Sequence, residues 1–216
     1  LMTAHGTGMV GIAGLGGAAV MWHFLGRQVA LRQAALWINY LLFMLGVVLI
    51  LGSIFVTGFA SGWTFLYPLP AMSAGVWEPE AAALFLGGLA IIGVGFLALH
   101  LECARAILAT HGSLARALGW PQLFLNRPLP MPPVAVVAST MVLIVNIAGI
   151  VSGATVLMMS LVNLFVPGFE IDPLLAKNLI YFFGHVFINA TIYMAVIAVY
   201  EILPLYAGRP WKVNRV

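Results

Sequence analysis

The residues with most chemistry to offer lie in one apolar stretch. It runs Tyr181-Phe182-Phe183-Gly184-His185-Val186-Phe187-Ile188-Asn189, then through Thr191, Tyr193, Tyr200 and Glu201 to Pro204. The stretch reads as a membrane-spanning helix, yet it keeps an imidazole, an amide, phenols and a carboxylate. Polar groups in lipid are costly, so a bilayer helix that retains several of them marks a functional site. At about 3.6 residues per turn, Asn189, Tyr193 and Tyr200 fall near the face of His185. An imidazole, an amide and two phenols on one stripe point to a metal ligand with a proton path beneath it.

The elements that must hold this stripe follow from composition. Of 216 residues, 63% are hydrophobic and 7% charged, against roughly 25% charged in a soluble domain. This is an integral membrane protein. Its single cysteine, Cys103, rules out an internal disulfide framework and a thiolate metal cluster. The pI of about 9.3 does not indicate nucleic acid, because the basic residues are scattered between apolar spans and serve as topology signals. No cleavable signal peptide is visible, and the sequence opens on Leu1 inside an apolar run, as expected of an internal piece of a longer chain. Five segments are long enough to cross a bilayer, which takes about 20 apolar residues each: approximately 3–25, 35–58, 79–107, 133–165 and 173–203. The predicted fold is all-α, a polytopic transmembrane helix bundle forming a single domain over residues 1–216. Two spans start with proline behind an acidic residue, Glu78-Pro79 and Asp172-Pro173, the pattern of a helix N-terminus.

Charge sets the orientation. Arg27 and Arg32 follow span one, Arg105, Arg116 and Arg127 follow span three, and Arg209, Lys212 and Arg215 follow span five. The opposite loops hold Glu78, Glu80, Glu170 and Asp172, with Lys177 as their base. The basic side is cytoplasmic by the positive-inside rule, so spans one, three and five run from outside to inside. His5 then sits at the outer end of span one. His185 lies roughly 18 Å along span five at 1.5 Å per residue, with Tyr200 and Glu201 beyond it toward the cytoplasm.

Span one is rich in glycine, at Gly6, Gly8, Gly11, Gly14, Gly16 and Gly17. Small residues let helices, or a flat macrocycle, approach the backbone. Helix packing alone would account for them. An outer-end His5 above bare backbone also suits a haem iron ligand with the porphyrin against the helix. The bland alternative for His5 is an interfacial histidine bound to water. His23 and His100 read as interfacial and His111 as a loop residue. His100-Leu101-Glu102-Cys103 carries metal-binding residue types, but their helical offsets do not converge on one ion. Trp63-Thr64-Phe65-Leu66-Tyr67-Pro68 fits an interfacial aromatic belt after span two.

Taken together, these residues resemble subunit I of the haem–copper respiratory oxidases, particularly the B-type branch and the related nitric oxide reductases. Thr3-Ala4-His5-Gly6 with Met9 looks like the opening of the family's second helix, whose histidine binds the low-spin haem. Trp63-Thr64-Phe65 with Tyr67-Pro68 resembles the loop after the third helix. Gly184-His185 resembles the start of the sixth-helix copper motif. Tyr200, Ile202-Leu203-Pro204 and Ala207-Gly208 look like that helix's cytoplasmic end. The resemblance implies that the chain covers helices two to six of about twelve, and that it is a fragment of the catalytic subunit, inactive alone. It also implies low-spin and high-spin haem and copper as cofactors, completed by residues outside the chain. The implied partners are membrane lipid, oxidase subunit II and a cytochrome c or copper-protein electron donor, and the implied location is the prokaryotic plasma membrane.

One departure bears on substrate. Oxygen-reducing members of this branch carry a tyrosine four residues after the copper histidine, cross-linked to it, where this sequence has Asn189. An amide hydrogen-bonds or weakly ligates a metal, but it forms no phenoxyl radical. Nitric oxide reductases of the superfamily do without the tyrosine, so Asn189 favours NO while overall similarity favours O2. The resemblance makes His5 a low-spin haem ligand and His185 a ligand of the active-site copper. Asn189 stands beside bound gas, and Tyr200 and Glu201 belong to a cytoplasmic proton entry. The competing class is a non-enzymatic five-span transporter or channel, for which Asn146 and Asn189 would be mid-membrane polar contacts. It predicts broken helices or repeated halves, and the sequence shows neither.

Overall fold

Bilayer hydrocarbon offers backbone amides no partners, so a chain this apolar must satisfy them within its own helices. The computed structural model, which describes residues 1–125, 130–166 and 168–210, is helical throughout its spans. The elements are α1 (Met2–Leu25), α2 (Gln33–Phe55), α3 (Pro79–His111), α4 (Leu114–Ala117), α5 (Trp120–Phe124), α6 (Val134–Phe165) and α7 (Pro173–Ala207). Five of them, α1, α2, α3, α6 and α7, are long and apolar enough to cross a membrane. α3 and α7 both begin with proline, and α7 is capped by the Asp172 carboxylate, which accepts from Leu175 N–H at 2.7 Å. Their ends are set by Gly112 (φ 75°) and Gly208 (φ 61°), left-handed positions that glycine adopts without penalty.

Three helix ends differ from expectation, α3 among them, which continues four residues past Ile107 to His111. α2 stops at Phe55 and the chain turns back, whereas α7 runs past Leu203 and through Pro204 to Ala207. Proline disrupts a helix interior, but Pro204 stands in the last turn, where few bonds remain to be lost. The two short helices α4 and α5 fill what reads in sequence as plain loop. Arg127, Lys212 and Arg215 of the charge argument lie outside the described residues.

Packing follows small residues. A Cβ on Gly46 would stand 2.6 Å from the Gly88 carbonyl, and one on Gly88 would stand 2.8 Å from the Gly46 carbonyl, so α2 and α3 touch backbone to backbone. On α6, Gly149 and Gly153 form a G-x-x-x-G groove. Val186 fills it at Gly149 (2.8 Å from a built Cβ), and Phe183 at Gly153 (2.7 Å). Gly14 faces Phe187 and Phe96, and Gly17 faces the Thr191 carbonyl and Met194, so α1 lies parallel to α7. Phe96 and Phe187 meet edge to face at 5.6 Å between α3 and α7. The resulting core joins Met21, Leu25, Leu99, Ile107, Val142 and Ile197, all essentially buried.

Candidate functional site

α7 divides its side chains cleanly. Phe187, Ala190, Met194 and Ile197 are buried against the bundle, while Tyr181, His185, Asn189, Tyr193 and Tyr200 are exposed. The polar stripe therefore lies on the exposed face of α7. The Asn189 side-chain amide donates from Nδ2 to the His185 carbonyl at 2.8 Å. With its nitrogen tied back, Asn189 presents its carbonyl oxygen as the acceptor on that face. The Tyr181 ring lies 6.0 Å from the His185 ring at a 32° tilt. Tyr193 is 60% exposed and Tyr200 41%.

His5 is likewise exposed, near the start of α1, in line with exposed Met9, Ile12 and Gly16. The α1 glycines separate into two sets. Gly6 accepts the Trp63 indole, whose Cδ1 would lie 2.2 Å from an added Cβ, Gly11 meets Phe43, and Gly14 and Gly17 seat α7. Gly8 and Gly16 have nothing within 4 Å of a built Cβ. Most of the glycines thus serve packing, and two leave bare backbone on the exposed part of the helix. The Gly14–Phe187 and Gly17–Thr191 contacts put His185 level with residues 11–12 of α1. The two histidines therefore differ in depth by six or seven residues, roughly 10 Å.

The loop after α2 closes over the N-terminal end of α1. Thr3 Oγ1 donates to the Ser61 carbonyl, and Trp63 rests on Gly6. Phe65 is buried with Phe59 and Phe85, so this segment is partly core, beyond the interfacial belt that its composition suggests.

At the other end, Glu201 accepts a hydrogen bond at 3.2 Å from Ala135 N–H, in the first turn of α6. A carboxylate there complements the positive end of the helix dipole. Glu201 faces the first turn of α6, and its neighbour Tyr200 is 41% exposed.

His100 corrects the sequence reading. It is fully buried, not interfacial. Nδ1 donates to the Phe96 carbonyl at 2.7 Å, and Nε2 accepts from Asn146 Nδ2 at 2.9 Å. Sequence reasoning missed the pair because it is made by the crossing of α3 and α6. An asparagine and a histidine, each deep in an apolar helix, were the available signal. Both ring nitrogens are engaged, so His100 offers no lone pair to a metal. Glu102 is held by Arg105 (Nε 2.7 Å, Nη2 2.5 Å) and by Arg32 N–H at 2.8 Å, and Cys103 is buried and free. His100, Glu102 and Cys103 therefore diverge, as their offsets predict. His23 meets Arg27 Nη2 at 2.9 Å, and His111 is the last residue of α3, not a loop residue.

Among the described residues, no three His, Cys, Asp or Glu side chains converge as a metal site. His185 and His5 each present one imidazole on an exposed helix face, the type of side chain that would hold a metal or a haem iron. No curated protein and no solved structure matches the chain. The family model described as Cytochrome C and Quinol oxidase polypeptide I matches residues 1–216, which takes the place of the transporter alternative. The chain belongs to this family of haem–copper oxidase subunits I, polytopic membrane oxidoreductases that bind haem and copper and carry electrons.

Proposed function

We propose that the chain contributes to the catalytic subunit of a prokaryotic plasma-membrane haem–copper reductase whose gas substrate is nitric oxide. The observation that carries the substrate is Asn189. It stands one helical turn after His185 on the same exposed face, with its amide nitrogen bonded to the His185 carbonyl. Its oxygen orients a water or bound gas but yields neither the electron nor the proton that a phenol gives when an O–O bond breaks. Coupling two NO molecules to nitrous oxide and water takes two electrons and two protons, and needs no such donor.

His5 would hold the low-spin haem and His185 the active-site copper, with the remaining ligands supplied from outside the described residues. When bound, these groups supply one-electron transfer and a place for the gas. Electrons come from a cytochrome c or a copper protein docked with subunit II. The chain's own part is positional. Gly14 and Gly17 hold α1 against α7, which fixes the depth of His5 relative to His185. Tyr200 and Glu201, at the arginine-rich end, stand where protons from the cytoplasm would enter.

The test uses the intact membrane enzyme with a reduced donor, comparing nitrous oxide formed from NO with O2 consumed. Faster NO turnover is expected. O2 turnover exceeding NO turnover overturns the substrate assignment, and a purified enzyme without haem absorbance overturns the whole reading.

A further inference from the structure

Most hydroxyl side chains of α6 are accounted for within the bundle. Thr140, Thr155 and Ser160 fold back onto the carbonyl four residues earlier, at 2.7, 2.9 and 2.9 Å, and Ser152 donates to the Leu179 carbonyl of α7 at 3.0 Å. Ser139 does neither. Its Oγ is fully buried and has no protein partner, although the Ala135 carbonyl stands one turn back, where the others find theirs. Two turns deeper on the same face of α6, Asn146 is equally buried. Its Nδ2 serves His100, but its Oδ1 has no protein partner.

The His100–Asn146 bond sets the register of the antiparallel pair α3 and α6. Counted from it, Ser139 comes level with Ile107, and Ala135 with His111. His100, Cys103, Ile107 and His111 fall on one face of α3, and Cys103, Ile107, Ala135 and Leu143 share one core. At the arginine-rich end of this seam, His111 Nε2 is a third buried atom without a protein partner, and Glu201 reaches in to the Ala135 N–H at 3.2 Å. Polar atoms in search of a partner thus mark the seam from the end of α3 to the middle of the bundle. Such atoms are costly among apolar side chains, and they are where proteins hold ordered water. Helical carbonyls, each with a second lone pair, supply the further partners that a buried water needs.

We propose that the α3–α6 seam binds ordered water, held by Asn146 Oδ1 at its inner end and by Ser139 Oγ nearer to Glu201. The assignment is independent of the gas substrate and of any proton role for Glu201. The first test needs no variant: cryo-electron microscopy of the intact enzyme in lipid, at a resolution that shows bound water. Water density within hydrogen-bond distance of Asn146 Oδ1 and of Ser139 Oγ is expected. A seam without such density, or a Ser139 hydroxyl turned onto the Ala135 carbonyl, overturns the proposal. The second test separates a wet seam from a dry one by the sign of a shift. Ser139→Ala removes the hydroxyl and leaves the helix as it is. If that hydroxyl holds water, the melting temperature of the intact enzyme falls by a few degrees. If the seam is dry, the variant removes an unmet polar group, and a melting temperature that stays or rises overturns the proposal. Ser160→Ala, whose hydroxyl already bonds the Val156 carbonyl, calibrates the loss of an intrahelical bond. An equal fall in both variants would mean that Ser139 folds back in the same way, and also overturns it.

Discussion

At the scale of single residues, Asn189 and Glu201 each have a partner that sharpens what a substitution should do. Asn189→Leu keeps the size of the side chain but removes the oxygen presented beside His185. If His185 holds the active-site copper as proposed, turnover of gas by the intact enzyme should fall on the order of 10- to 100-fold, the scale of losing a polar group beside a metal centre. The low-spin haem spectrum should persist, because His5 lies on another helix. Glu201 is bonded to Ala135 N–H, so it is either an anchor for α6 or a proton carrier as well. Glu201→Gln keeps an acceptor oxygen for that N–H but cannot exchange a proton. Slowed turnover with unchanged thermal stability supports the carrier role, and unchanged turnover leaves only the anchor. Tyr200→Phe should likewise slow turnover with haem spectra intact, and unaltered turnover removes Tyr200 from the path. The candidate residues were legible because residue type and helical spacing put His185, Asn189, Tyr193 and Tyr200 on one stripe, which is the exposed face of α7. His100 and Asn146 were not, since their bond spans 46 residues and depends on how two helices cross.

At the scale of the helix, apolar length was enough to find all five spans, because bilayer thickness and backbone satisfaction leave helices little freedom. Their packing was less legible. Glycines in an apolar helix announce a close approach without saying what approaches, and those of α1 turn out to receive an indole, a phenylalanine, a second helix or nothing within reach. The reciprocal contact of Gly46 with Gly88 makes a direct test. Gly88→Leu puts side-chain atoms where the Gly46 carbonyl and Ile50 already stand, and overpacking of this kind costs about 1–3 kcal/mol. The melting temperature of the detergent-solubilised protein should drop. Gly87→Ala, one residue away but with nothing within 4 Å of the new Cβ, should leave it unchanged or slightly raised, since alanine is the better helix former. Equal effects of the two would mean that α2 and α3 are not in contact at this point.

At the scale of the whole molecule, parallel α1, α3 and α7 bring Arg27, Arg32, Arg105, Arg116 and Arg209 to one end of the bundle and leave Lys177 at the other. Tyr200 and Glu201 lie at the arginine end. If they carry protons as proposed, orientation decides which compartment delivers them, and the positive-inside rule predicts the cytoplasm. The only cysteine, Cys103, is fully buried, which gives a silent background for labelling. In intact cells a membrane-impermeant maleimide should label E170C, on the exposed loop before α7, and should leave R209C, on the exposed segment after it, unlabelled. Opening the membrane should make R209C reactive. The reverse pattern would turn the bundle over, put Glu201 and Tyr200 at the outer surface, and require protons to reach the His185 face from outside.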